Sequence, residues 1–230
     1  MSNALLPYTA RNYFRNVLGK YSLIGRRRPD LAYRKGRNLC IEGFPRSANT
    51  YGVLLVEKFA VQELSIAHHL HLPIQLKRAV QDDVPAVLII REPMAAITSL
   101  LLREEKVSIW SAFHWYNSFH ESLLPIKDDL IIWTFEQVIK EPLWCIADLE
   151  AKTGLVSLAG KTEVDNEAIF EEIDRLDKFE KADSNLQHVN SRPNAEKAKA
   201  KKALKDQILN DPRWESHRKQ AQKHYQFFTS

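Results

Sequence analysis

The chain is predicted to fold as an α/β protein: a three-layer sandwich with a central parallel sheet of about four to five strands flanked by helices, and a helical C-terminal region. Three observations predict it. Short apolar runs alternate with segments of helical spacing from residue 38 to about 155. The run "VPAVLIIREP" (84–93) is nearly continuous in apolar residues, which suits a parallel strand covered on both faces. The stretch "CIEGFPRSANTYGV" (40–53) passes from an apolar run through a short Gly-Pro-Arg-Ser-Asn-Thr loop into an apolar helical pattern. That is the outline of a strand, a phosphate-cradling loop and a helix, and it makes the expected fold P-loop NTPase-like.

The elements follow in order. Residues 1–37 read as a basic N-terminal segment, and residues 38–230 as one domain with its core at 38–155 and a helical part at 156–230. Within the segment, "GRRRPDLAYRKGRN" (25–38) reads as a loop leading into the domain. Residues 38–44 read as a buried strand and 49–62 as a helix. "LSIAHHLHLP" (64–73) reads as a second strand ending among histidines, with Pro73 opening a helix. After the strand at 84–93, "PMAAITSLLLREE" (93–105) and the aromatic "SIWSAFHWYNSFHESLL" (108–124) read as helices. "DLIIWTFEQVI" (129–139) starts as a fourth strand, and "EPLWCIADLEAKTGL" (141–155) is a helix closing near Gly154. From about 166 to 227 the pattern is helical, interrupted by a polar loop at 181–196. Ligands of parallel sheets sit at the carboxyl ends of the strands, which singles out residues 44–50, 68–73, 91–99 and 134–136.

Bulk properties narrow the function. The 230 residues are 44% hydrophobic and 27% charged, ordinary for a globular protein, and the length suits one domain with a sizeable core. The two cysteines, Cys40 and Cys145, have no metal-ligand spacing, so a reducing compartment and no metal are expected. No stretch of about twenty apolar residues exists and the N-terminus lacks a signal-like apolar region, so a cytoplasmic protein without a membrane span is expected. The net charge of +4 is unevenly spread: residues 1–38 carry nine Lys/Arg and one acid, and residues 195–230 nine bases against four acids. Such blocks are solvated faces or attract an anionic ligand or surface. Leu5, Leu6, Tyr8, Phe14 and Leu18 alternate with Arg11 and Arg15, which reads either as a helix packed on the domain or as a peripheral membrane contact. Nucleic-acid binding is not expected, since no recognition motif accompanies the charge.

The loop departs from G-x-x-x-x-G-K-[ST]. Gly43 takes the first position, but Ala48, Asn49 and Thr50 take the last three, so the Lys and the second Gly are missing. No Asp ends the third strand to organise magnesium; Arg91 stands there instead. A magnesium nucleotide kinase fits poorly. Other anion-binding tools remain: backbone N–H groups at a helix start, the Arg46 fork, and the short polar Ser47, Asn49 and Thr50.

"GFPRSANTY" together with "LIIREPMAAITS" resembles the sulfotransferase family that uses 3′-phosphoadenosine-5′-phosphosulfate. The resemblance covers roughly residues 38–155 and, more weakly, 185–195. It implies that the donor's 5′-phosphosulfate lies on Arg46, Ser47, Ala48, Asn49 and Thr50. It also implies that Arg91, with Ser99 eight residues on, binds the 3′-phosphate. Tyr51 takes the place of the loop aromatic that stacks on the base, and Phe135 in "IIWTFEQVIKEP" lies at the aromatic position near adenine. "HHLHLP" resembles the segment carrying the family's catalytic base, which assigns that role to His71, with His69 where a basic Lys often lies. Several positions depart from the pattern: Ala48 replaces a Gly, Arg46 a Lys, and Glu92 an Asp or Asn. The C-terminal cofactor loop is not plainly present; "NSRPNAEKAK" is the substitute, with Arg192 on the 3′-phosphate.

The implied enzyme transfers a sulfonate group from 3′-phosphoadenosine-5′-phosphosulfate to a hydroxyl acceptor by in-line displacement, without metal, leaving 3′-phosphoadenosine-5′-phosphate. The acceptor class and the oligomeric state stay open. Alternatives are a sulfotransferase-like binding module without catalysis and an atypical P-loop phosphotransferase. If the second strand stays extended, His69 and His71 share one side and His68 faces the other, so physical reasoning alone does not separate His71 from His69 as the base. His114 on the aromatic helix is the next candidate. That helix's Trp110, Phe113, Trp115, Tyr116 and Phe119 read either as core or as an acceptor pocket.

Overall fold

The computed structural model describes residues 28–182 and 195–230. The remaining residues, among them Arg192 and the N-terminal helix reading, lie outside the described part.

The expected α/β architecture is present. Four strands form one parallel sheet: β1 (Leu39–Glu42), β2 (Ile66–His68), β3 (Ala86–Ile90) and β4 (Ile131–Thr134), in spatial order β2-β1-β3-β4. Each short strand is dominated by β-branched or other apolar residues, and β1 and β3 are buried at every position. Successive side chains go to opposite faces. Leu39, Ile41, Val87 and Ile89 enter one apolar cluster, while Cys40, Ala86, Leu88 and Ile90 enter the other. The sheet is therefore the middle layer between two cores.

Helices α1 (Asn49–Phe59), α6 (Pro142–Thr153) and α7 (Asn166–Ala182) supply residues to the first cluster. Helices α2 (Pro73–Gln81), α3 (Pro93–Arg103), α4 (Ile109–Glu121), α8 (Ala195–Asn210) and α9 (Glu215–Thr229) supply the second. Proline occupies the first turn of α2, α3 and α6, where its missing N–H has no partner to lose. A short helix α5 (Phe135–Lys140) follows β4 directly. It starts on a capping box in which Thr134 and Gln137 exchange side-chain and backbone hydrogen bonds. The C-terminal helices pack on the sheet's second face: Ile208, Ala221 and Phe228 are buried in the second cluster.

One expectation needs correction, and the residues just before 38 are packed on the domain. Ala32 and Tyr33 are buried, Tyr33 donates its N–H to Gln75 and its hydroxyl to Asp82, and Arg37 ties this segment to Pro29, Asp30 and Ser65. The second strand ends earlier than its apolar run suggests. It stops at His68, and both His69 (φ 57°) and His71 (φ 52°) adopt the left-handed conformation. Extended alternation therefore does not reach these histidines, and the rings of His68 and His69 are neighbours, with centroids 4.7 Å apart.

The strand order places β1 beside both β2 and β3, with α1 and α2 on opposite faces. The crevice between β1 and β3 is a topological switch point, the place where ligands of open parallel sheets bind.

Candidate anion site at the sheet edge

Glycine at 43 is forced by crowding. A Cβ there would lie 2.2 Å from the carbonyl oxygen of Ile89 and 2.8 Å from Asn49 Oδ1. The loop that follows is built on two left-handed residues, Arg46 (φ 71°) and Ala48 (φ 68°). For a residue with a Cβ this conformation costs about 1–2 kcal/mol each. Ala48 is the N-cap of α1 and supplies no side-chain cap, and the first turn holds no acidic residue. The N–H groups that open α1 are thus left for a ligand. Asn49 is held by donating Nδ2 to the Phe44 carbonyl, 3.2 Å away. Within the same loop, Ser47 Oγ and Asn49 Oδ1 are buried without a hydrogen-bond partner among the described residues.

Arg91 leaves the end of β3 and reaches across the crevice. Its Nη1 donates to the Arg46 carbonyl at 2.6 Å, and its guanidinium lies 3.7 Å from the centre of the Phe135 ring. Its Nε is buried without a partner among the described residues, and burial lowers its pKa. Ser99, two turns along α3, accepts from Arg46 Nε at 3.2 Å. The structure thus brings Arg46, Arg91, Ser99 and Phe135 together. Glu92 caps α3, accepting from the N–H groups of Met94 (3.1 Å) and Ala95 (2.6 Å).

Sequence reasoning missed a contributor from α8. Lys201, Leu204, Lys205 and Ile208 fall on one face of that helix, which packs on α3. Burial lowers the Lys201 pKa to about 8; the charges of Arg91, Lys205 and Arg46 add to the effect, and Glu92 opposes it. The only sequence signal was the excess of bases after residue 195. A lysine-rich helix does not show in its sequence which lysine turns inward.

The histidines close the other side of the loop. His69 has protein partners on both ring nitrogens: Thr50 Oγ1 lies 2.8 Å from Nε2, and His68 Nδ1 lies 2.5 Å from Nδ1. Burial, with His68 and His71 alongside, holds its pKa well below the usual value, so it is neutral. His71 Nδ1 lies 2.9 Å from the Gly43 carbonyl oxygen. A carbonyl only accepts, so Nδ1 carries the hydrogen and Nε2 the lone pair. The buried Glu42 accepts from the N–H groups of Leu70 (2.8 Å) and His71 (3.0 Å). Burial pushes its carboxyl up to about 8, against the pull of the donors on Leu70, Gln75, His71 and Gly43.

Other candidate residues go elsewhere. Tyr51 is 2% exposed, its ring packed on Phe170 and its hydroxyl bonded to Asn166, so it offers no open face to a base. This corrects the base-stacking expectation: a residue in the first turn of α1 points into the core when that turn faces the sheet. In the aromatic helix α4, Phe113, Trp115, Tyr116 and Phe119 are core residues. Trp110 is exposed and stacks on His114, with 5.2 Å between ring centres. Among the described residues, no helix is long and apolar enough to cross a membrane.

No protein-family model matches the chain, and no curated protein matches it. Among solved structures it is similar to mouse sulfotransferase SULT7A1 complexed with PAP, at 13% identity and a TM-score of 0.41, over 85% of this chain and 92% of that chain. A likeness at that level carries nothing about the site, which stands on its own geometry.

Proposed function

We propose that the protein is a sulfotransferase that binds 3′-phosphoadenosine-5′-phosphosulfate in the crevice between β1 and β3 and transfers its sulfonate group to a hydroxyl acceptor. The observation that carries this reading is the gathering of Arg46, Arg91 and Lys201, from three separate segments, beside the side-chain-free cap of α1. Glu92 and Glu136 offset part of the mutual repulsion of these cations, and a bound anion would offset more of it. The orphaned donors Ser47 Oγ and Arg91 Nε fit the same ligand.

In this reading the loop from Arg46 to Thr50 holds the 5′-phosphosulfate. Arg91, Ser99 and Lys201 hold the 3′-phosphate, and Phe135, beneath Arg91, adjoins the adenine. His71 is the base in this reading, because the Gly43 contact places the hydrogen on Nδ1 and so the lone pair on Nε2. The acceptor hydroxyl gives its proton to His71 Nε2 as its oxygen bonds to sulfur. The sulfur–oxygen bond to the 5′-phosphate breaks, and its electron pair leaves on that phosphate. Arg46 and the α1 N–H groups stabilise the growing charge.

Thermal shift provides the first test. At a hundredfold excess over Kd, adenosine 3′,5′-bisphosphate adds about 2.7 kcal/mol, or roughly 5–10 °C in melting temperature for a chain of this size. Magnesium is not needed for this shift. A chain stabilised by magnesium ATP and not by the bisphosphate would overturn the reading. Transfer from a labelled donor to a panel of hydroxyl acceptors then tests the chemistry.

A further inference from the structure

Glu42 is fully buried at the end of β1, yet it is an acid on an otherwise apolar strand. Every group bonded to its carboxylate is a donor. Oε1 accepts from Leu70 N and Gln75 Nε2, and Oε2 accepts from His71 N. Gln75 cannot be turned round without loss, because its Oε1 is taken by the N–H of Tyr33. The residues that Glu42 grips belong to the turn that carries the candidate base. Both His69 and His71 are left-handed there, although neither is glycine. Left-handed residues swing neighbouring N–H groups to one side, where they form a cup for an anion. In this protein the acceptor in the cup is a carboxyl side chain of the adjacent strand.

We propose that Glu42 is a positioning residue: its carboxylate holds residues 69–71 in their left-handed turn and so fixes the direction in which His71 presents Nε2. The inference rests on His71 as the base, but its structural part is independent of any transfer activity. It makes a sharp chemical demand. Glutamine has the shape of glutamate, but its NH₂ would have to face a donor on one side or the other. Aspartate is shorter, yet keeps two acceptors. The shorter acid should therefore replace Glu42 better than the isosteric amide.

The experiment compares wild type, Glu42→Gln and Glu42→Asp at about pH 9, above the value of about 8 to which burial raises the Glu42 carboxyl. Hydrogen exchange at the Leu70 and His71 amides, turnover, and affinity for adenosine 3′,5′-bisphosphate are measured for each. In Glu42→Gln we expect exchange at both amides at least about tenfold faster, turnover at least about tenfold lower, and bisphosphate affinity within about twofold of wild type. Glu42→Asp should recover part of the turnover. Wild-type exchange and turnover in Glu42→Gln would overturn the proposal, and so would equal losses of turnover, ligand affinity and melting temperature in both variants. One measurement needs no variant. The wild-type Leu70 and His71 amide resonances should titrate together with the Glu42 carboxyl carbon, and independent titration would overturn the proposal. If the wild type transfers no sulfonate at all, the functional reading fails, while the exchange and titration results still decide the role of Glu42.

Discussion

Lys201 offers a quantitative test of the site, because it is a cation held where a cation is disfavoured. With its pKa near 8 in the ligand-free protein, it is about nine-tenths protonated at pH 7 and about one-tenth at pH 9. A bound phosphate favours the charged form and draws the pKa up again. The phosphates themselves are fully ionised above pH 7, their second pKa being about 6. Affinity for adenosine 3′,5′-bisphosphate should therefore follow the protonated fraction and fall about tenfold between pH 7 and 9, with uptake of nearly one proton per ligand at the alkaline end. Lys201→Met keeps the length and removes the charge. At pH 7 it should weaken binding about tenfold to hundredfold, the worth of a charged hydrogen bond, and its affinity should be flat with pH.

The contribution of Lys201 to the stability of the ligand-free protein moves the other way. A base whose folded pKa is depressed binds fewer protons folded than unfolded between about 8 and its ordinary value, so this contribution rises with pH across that window. Lys201→Met should accordingly melt no lower than wild type at pH 7. Calorimetric titration at pH 7, 8 and 9, in buffers of different ionisation enthalpy, reads both affinity and proton uptake. A variant that binds as wild type does at pH 7, or that keeps the wild-type pH slope, would refute Lys201 as a ligand of the anion.

Arg91→Ala should weaken adenosine 3′,5′-bisphosphate about tenfold to hundredfold and adenosine 5′-phosphate far less; equal losses in competition binding would argue against a 3′-phosphate role. His71→Ala should lose at least about a hundredfold in turnover with donor affinity retained, and His69→Ala less, as single-turnover kinetics can show. Gly43→Ala drives a Cβ to 2.2 Å from the Ile89 carbonyl oxygen and should destabilise by about 1–3 kcal/mol or more in urea unfolding. Ala48→Gly relieves a left-handed alanine, worth about 1–2 kcal/mol, against about 0.5–1 kcal/mol of added unfolded-state entropy, so urea unfolding should show a small gain.

What could be read in the sequence was whatever local pattern determines. The strand, loop and helix around Gly43 follow from apolar runs and punctuation, and so do the buried β3 and the proline-started helices. The meeting of Arg46 and Arg91 followed from the rule that places ligands at the carboxyl ends of parallel strands, and the part of Ser99 from the family resemblance. The histidine turn was not legible, because its left-handed residues are stabilised by Glu42, distant in the chain, against their own local preference. The end of β4 was legible in principle: "TFEQ" carries the Thr and Gln of a capping box, and α5 begins there. Lys201 depends on how α8 is rotated against α3, which tertiary packing decides.

The two free cysteines lie on opposite sides of the sheet, Cys40 in the cluster shared with α8 and α9, and Cys145 in the cluster beneath α1 and α7. Burial raises both thiols, Cys145 to about 12, so neither presents a thiolate while its layer is closed. Each is a built-in clock for the opening of one layer. Alkylation at low reagent concentration, resolved by peptide mass, would time the two openings separately. If the whole domain opens in one step, both cysteines react at one rate. If the C-terminal helices lift from the sheet alone, Cys40 reacts first while Cys145 stays protected.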